Sequence, residues 1–194
     1  MKIICLGDSF TRGFGVKKSE NWISIFKHHE IQLINKGING DTTSGMLARF
    51  YRDVVAQTPD YVLITGSIND FICGSSLATP QNNYMSMVHQ AYHHQIFPIV
   101  GVAPGFLPEQ VRNDWANFSD FSHVLKLHKR FHAWSKEFCT CFNLPHLDFY
   151  ESFEKITKNH PIEGLYLDGL HLTPAAHRFI AKIAEKELTY ILQK

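Results

Sequence analysis

No run in this 194-residue sequence is apolar for long enough to span a bilayer. The opening MKIICLGDSF has only four apolar residues before glycine and aspartate, too few for a secretory signal. The chain therefore reads as a cytoplasmic protein with no stable membrane association. Charge of one sign is also missing. Nineteen Lys+Arg against eighteen Asp+Glu leave a net charge of +1, so bulk electrostatics favour neither nucleic acid nor anionic lipid as a partner. Cysteine is scarce: Cys5, Cys73, Cys139 and Cys141 have neither zinc-site spacing nor a CxxC pair. Disulfides are not expected, which suits a reducing compartment. Cys5 falls in an apolar strand, and Cys139 and Cys141 point to different faces of a helix. Internal repeats, linkers and low-complexity segments are absent, as are heptads that would signal an oligomer.

Chemical signatures are missing too. Residues 13–16, GFGV, follow a strand but form neither a P-loop nor a dinucleotide fingerprint, and flexibility near Ser9 is the reading for those glycines. His89 and His93, and likewise His128 and His132, have the i, i+4 spacing of a metal pair. Neither pair carries the H-E-x-x-H glutamate or an evident third ligand. No metal and no cofactor are expected.

What the sequence does contain is a core. Apolar residues make up 44% and charged residues 19%, which fits one globular domain over residues 1–194. Five short β-branched-rich runs, at 2–7, 31–37, 61–66, 97–104 and 144–150, alternate with helical patterns at 20–29, 43–57, 80–95, 119–142 and 174–192. Pro80 opens the third helix, and Thr173-Pro174 reads as an N-cap with proline at N1. This alternation predicts a three-layer α/β/α fold with a five-stranded parallel sheet. Right-handed crossovers bring the strand C-terminal ends to one edge, where open α/β sheets build their sites.

The segments leaving the strands therefore hold the chemistry: GDSFTRG, GINGDTTSG, GSINDF, the 104–120 loop, and YLDGLHLTP. Between them they supply a serine, an approachable glycine backbone, an asparagine amide, and an aspartate three residues before a histidine. Those are the parts of a serine hydrolase. Each part alone has a plainer reading. Ser9 could be a turn or N-cap serine, Asp168 a solvated carboxylate and His171 an ordinary imidazole. Asp8 reads as structural, Asn39 as loop-shaping, and Asp70 as holding its own turn.

Taken together, G-D-S (7–9), N-x-G-x-N-G (35–40), S-x-N-D (67–70) and D-x-x-H (168–171) resemble the ordered blocks of the SGNH hydrolases, also called GDSL lipases and esterases. The resemblance implies a flavodoxin-like sheet, with Ser9 as nucleophile, His171 as general base and Asp168 orienting it. It also implies an oxyanion hole from the Ser9 and Gly40 backbone N–H groups and the Asn69 amide. Ser67 stands where the third block usually carries glycine, which could shift the loop bearing Asn69. The G-x-S-x-G elbow of α/β-hydrolases is absent, so Ser9 sits on a looser strand exit.

The implied reaction is hydrolysis of a small-molecule ester, with a short-chain acyl or acetyl group favoured. Lysophospholipase-like or thioesterase-like hydrolysis is the alternative, as is a non-catalytic binding module on the same sheet. Phe106, Leu107, Trp115, Phe118 and Phe121 in and beside the 104–120 loop could line an acyl site or simply pack the long helix.

Overall fold

The structure, a computed structural model, describes residues 1–158 and 164–193. Its strands are β1 (Lys2–Gly7), β2 (Gln32–Gly37), β3 (Tyr61–Thr65), β4 (Phe97–Val102) and β5 (His146–Asp148). They pair in the order β2-β1-β3-β4-β5, and every pairing is parallel. This is the expected three-layer sheet, with its order reversing between β1 and β3.

The two-residue period of the strands sorts side chains onto two cores. Ile4, Leu6, Val62, Ile64 and Val100 face one way. They meet Met46 and Phe50 of α3 (Thr43–Asp53), Tyr84 and Met87 of α5 (Ala78–His93), and Phe131 and Phe138 of α7 (Phe121–Phe142). Ile3, Cys5, Leu63, Ile99 and Leu147 face the other way. There they meet Trp22 of α2 (Trp22–Ile25), Phe153 of α8 (Phe149–Thr157), and Ile180, Ala184 and Leu188 of α9 (Pro174–Leu192). Phe50 and Phe131 are buried, and truncating either to alanine costs about 3–5 kcal/mol.

Several boundaries differ from the sequence reading. The helix expected over 20–29 contracts to a 3₁₀ turn at Lys18–Glu20 and the four-residue α2. The fifth strand pairs only over His146–Asp148, because the Asp148 carboxylate accepts the Glu151 N–H and caps α8. Phe149 and Tyr150 are therefore buried helix residues rather than strand. Helix α5 starts at Ala78, placing Pro80 inside its first turn. The second predicted helix ends at Asp53, and a 3₁₀ turn follows at Val55–Gln57. Three short helices, α1 (Ser9–Arg12), α4 (Ile68–Ile72) and α6 (Asn113–Ala116), occupy segments read as loops.

Thr173 Oγ1 caps α9, with Pro174 following at N1. Cys5 and Cys139 are buried, Cys73 and Cys141 are exposed, and all four are free thiols. Among the described residues, no helix is long and apolar enough to cross a membrane.

Candidate active site

Strand β1 ends at Gly7, and the chain turns at once into α1. The Asp8 carboxylate accepts the Phe10 N–H at 2.9 Å and so caps the helix. Ser9 is its first residue, where a backbone N–H has no intrahelical acceptor. Gly13 closes α1 in the left-handed conformation, at φ 81°, and returns its N–H to the Ser9 carbonyl. This glycine sets a helix end rather than supplying slack. A Cβ there would also meet the Asn21 side chain.

Asp168 and His171 lie in the turn before α9. Gly169 between them has φ +79°, and its Cα packs against the Gln110–Val111 backbone, leaving no room for a Cβ. The turn brings Asp168 Oδ2 to 2.8 Å from His171 Nδ1, while Oδ1 accepts the His171 and Leu170 N–H groups. Burial alone would raise the Asp168 pKa, but the hydrogen bonds from His171 and the main chain outweigh it and hold the carboxyl below its usual range. With Nδ1–H committed to Asp168, His171 Nε2 faces Ser9 Oγ at 3.2 Å. Phe14 lies 4.2 Å from the imidazole, centroid to centroid, and Trp115 presents its ring edge-on at 6.0 Å.

Ser9, Asn69 and His171 line a small cleft, walled by Phe14, Ile68, Ala103–Gly105 and Leu170. Asn69 is in α4, after β3. Its Nδ2 donates one proton to the Asp41 carbonyl at 2.9 Å, which leaves the second N–H for another acceptor. Gly40 is exposed, has φ +74° and directly precedes Asp41, whose carbonyl holds Asn69. Ser67, in place of the glycine, has φ 173°, outside the left-handed region that favours glycine.

The polar frame around the cleft was only partly visible in sequence. Asp8 is buried, and that burial lifts its pKa to about 7; the Phe10 N–H and the His171 charge offset only part of the effect. Asp70 does not close its own turn. Its carboxylate reaches Thr43, accepting the N–H at 2.9 Å and the hydroxyl at 2.5 Å. His128 is buried and donates Nε2–H to the Ala103 carbonyl in the cleft wall at 3.0 Å. Burial holds its pKa down at about 4. His177, another buried histidine at the cleft, is likewise lowered to about 4 by burial and accepts the Trp22 N–H. Residues so far apart in the chain leave no local spacing to read.

Of the aromatic residues in and beside the 104–120 loop, Phe106 and Phe121 pack together in the core, at 6.0 Å and nearly perpendicular. Trp115 packs against the same core while meeting the His171 ring edge-on, and Phe118 is 72% exposed. Among the described residues, neither the His89/His93 nor the His128/His132 pair meets a third ligand atom as a pair. Among the described residues, one group could place three ligand atoms together: His132, Asp148 and Glu151, outside the cleft. The Lys136 ammonium already lies against both of those carboxylates.

Residues 5–179 match the GDSL-like Lipase/Acylhydrolase family. An arylesterase of Vibrio mimicus is 27% identical over 196 residues, covering 96% of this chain and 88% of its own. The uncharacterized lipoprotein YqeF of Bacillus subtilis is 26% identical, covering 92% and 85%. The crystal structure of a lipolytic G-D-S-L protein from Veillonella parvula superposes with a TM-score of 0.80 at 19% identity, covering 97% and 98%.

Proposed function

The chain belongs to the GDSL-like lipase/acylhydrolase family and is a serine ester hydrolase, and from that premise we propose that it cleaves short-chain acyl or acetyl esters through an acyl-enzyme on Ser9. The observation that carries the mechanism is the Asp168–His171–Ser9 relay, with contacts of 2.8 and 3.2 Å. Nε2 of His171 takes the Ser9 Oγ proton as Oγ attacks the ester carbonyl. The imidazolium then gives that proton to the departing alkoxide, and the acyl group stays on Oγ. A water activated by the same nitrogen releases the acid and restores the serine. Oxyanion stabilisation falls to the free N–H of Asn69 and the backbone N–H groups of Ser9 and Gly40. Each such donor contributes about 2.7–4 kcal/mol in the transition state.

Support for a short acyl group comes from the walls: Phe14 and Trp115 crowd the imidazole, and Ile68, Pro104 and Leu170 close the cleft. A second reading, a longer acyl chain, draws on the exposed apolar side chains of Phe118 (72%) and Leu167 (46%). Rates on nitrophenyl esters from acetate to palmitate decide between them. The proposal expects acetate or butyrate to be best, and a steady rise to palmitate overturns the short-chain reading. Fluorophosphonate should label wild-type Ser9 and not Ser9→Ala. A folded Ser9→Ala variant with undiminished esterase activity would sink the acyl-enzyme altogether.

A further inference from the structure

Arg49, on α3, is a buried cation to which the relay assigns no part. Its guanidinium makes four hydrogen bonds. Nε donates to Asp41 Oδ2 at 2.8 Å, and Nη1 donates to Asp53 Oδ2 at 2.9 Å and to the Lys36 carbonyl at 2.8 Å. Nη2 donates to the Gly7 carbonyl at 3.0 Å. Arg52 also pairs with Asp53, at 2.8 and 3.0 Å, so two guanidiniums balance two carboxylates. The planar fork of arginine can hold several acceptors at fixed angles, which an ammonium cannot.

Its acceptors mark out the oxyanion frame. Gly7 is two residues before Ser9, Lys36 is the last residue but one of β2, the strand that leads to Gly40, and Asp41 directly follows Gly40. Asp41 is gripped at two points: its carboxylate by Arg49 and its carbonyl by Asn69 Nδ2 at 2.9 Å. Gly45 lets this carboxylate lie flat against α3, since a Cβ there would come within 1.9 Å of Asp41 Oδ1.

We infer that Arg49 is the positioning residue of the oxyanion hole, fixing through Asp41 both the Gly40 peptide and the amide rotamer of Asn69. The inference rests on the proposed acyl-transfer chemistry. Arg49 touches no reacting atom, so its removal should act on kcat while leaving KM nearly unchanged.

Two variants test it, on nitrophenyl acetate. Arg49→Ala should lower kcat about 10²-fold, comparable with losing one oxyanion donor, and guanidinium ion at tens of millimolar should restore part of it. Asp41→Ala is the sharper probe, because it leaves Arg49 its bonds to Asp53, Lys36 and Gly7 and so spares the fold. It should show the same kcat loss with little change in Tm. In an Asn69→Ala background, Asp41→Ala should cost far less than it does alone, since the two act on one frame. Wild-type kcat in folded Asp41→Ala, or fully additive losses with Asn69→Ala, overturns the inference. Fluorophosphonate labelling separates the failures. If wild-type Ser9 reacts but Asp41→Ala is fully active, only the positioning role falls. An unreactive wild-type Ser9 removes the acyl-transfer reading beneath it.

Discussion

Replacing Asp8 with asparagine should stabilise the protein, and by more in mild alkali than in mild acid. Asp8 is buried at 3% exposure beneath the nucleophile, and that burial raises its carboxyl pKa from 3.8 to about 7. His171 acts against the rise, while Asp41 and Asp70 add to it. A folded state with the higher pKa holds its proton where the unfolded chain has lost it. Stability from this group is therefore complete below about pH 3.8 and drains away as pH rises to about 7. Asparagine is the shape of the neutral acid, and its Oδ1 can still accept the Phe10 N–H as an N-cap. The variant avoids the ionisation cost, which amounts to about 2 kcal/mol near pH 5 and about 4 kcal/mol near pH 8. For a chain of this size the extra gain between those two pH values is about 5–10 °C in Tm. Thermal melts of both proteins across that range are sufficient. A Tm difference that stays flat with pH, or shrinks toward alkali, refutes the buried neutral carboxyl.

Other outcomes follow from the same geometry. Asn69→Ala should reduce kcat by about 10²–10³-fold with a small KM change in steady-state ester hydrolysis, because it removes a donor aimed at the oxyanion. At Gly37 a Cβ would lie 2.2 Å from Arg12 N and 2.8 Å from the Asp8 carbonyl. Gly37→Ala should therefore push on the helix carrying Ser9, losing about 1–3 kcal/mol in chemical denaturation together with activity. His128 acts in acid with the opposite sign to Asp8. Its folded pKa of about 4 against an ordinary 6.5 means the unfolded chain takes up a proton first, so stability drains as pH falls between those values. His128→Gln should lessen the fall in Tm from about pH 8 to pH 5, relieving about 2 kcal/mol of acid sensitivity. An unchanged pH slope would show that the ring is already protonated or exposed.

The long periodic elements were legible because burial imposes their pattern. Helix α7 shows Phe121, Val124, Leu127, Phe131 and Phe138 at helical spacing, and β1 alternates its residues between two cores. Short elements lacked that signal. Four-residue α1 is too brief for any period, and it exists because Asp8 caps it and Gly13 closes it. The run LPHLDFY reads as one strand, yet Asp148 divides it into strand and helix by capping the Glu151 N–H. At the site, the Asp168–His171 spacing was readable because a turn joins the two residues locally. Arg49 was not, since its acceptors Gly7, Lys36 and Asp41 are brought together only by the order of the sheet. The polar scaffold of the cleft is thus a tertiary property, while its reacting groups carry local marks.

Ser9 and His171 stand 162 residues apart in the chain, yet their side chains meet at 3.2 Å. During synthesis the nucleophile leaves the ribosome long before its base has been made. The nascent serine is thus chemically idle, with no partner to accept its proton. Reactivity switches on only when the final turn and helix dock against the first strand. Esterase activity in a refolding experiment should therefore return with the last structural phase and report completion of the whole domain.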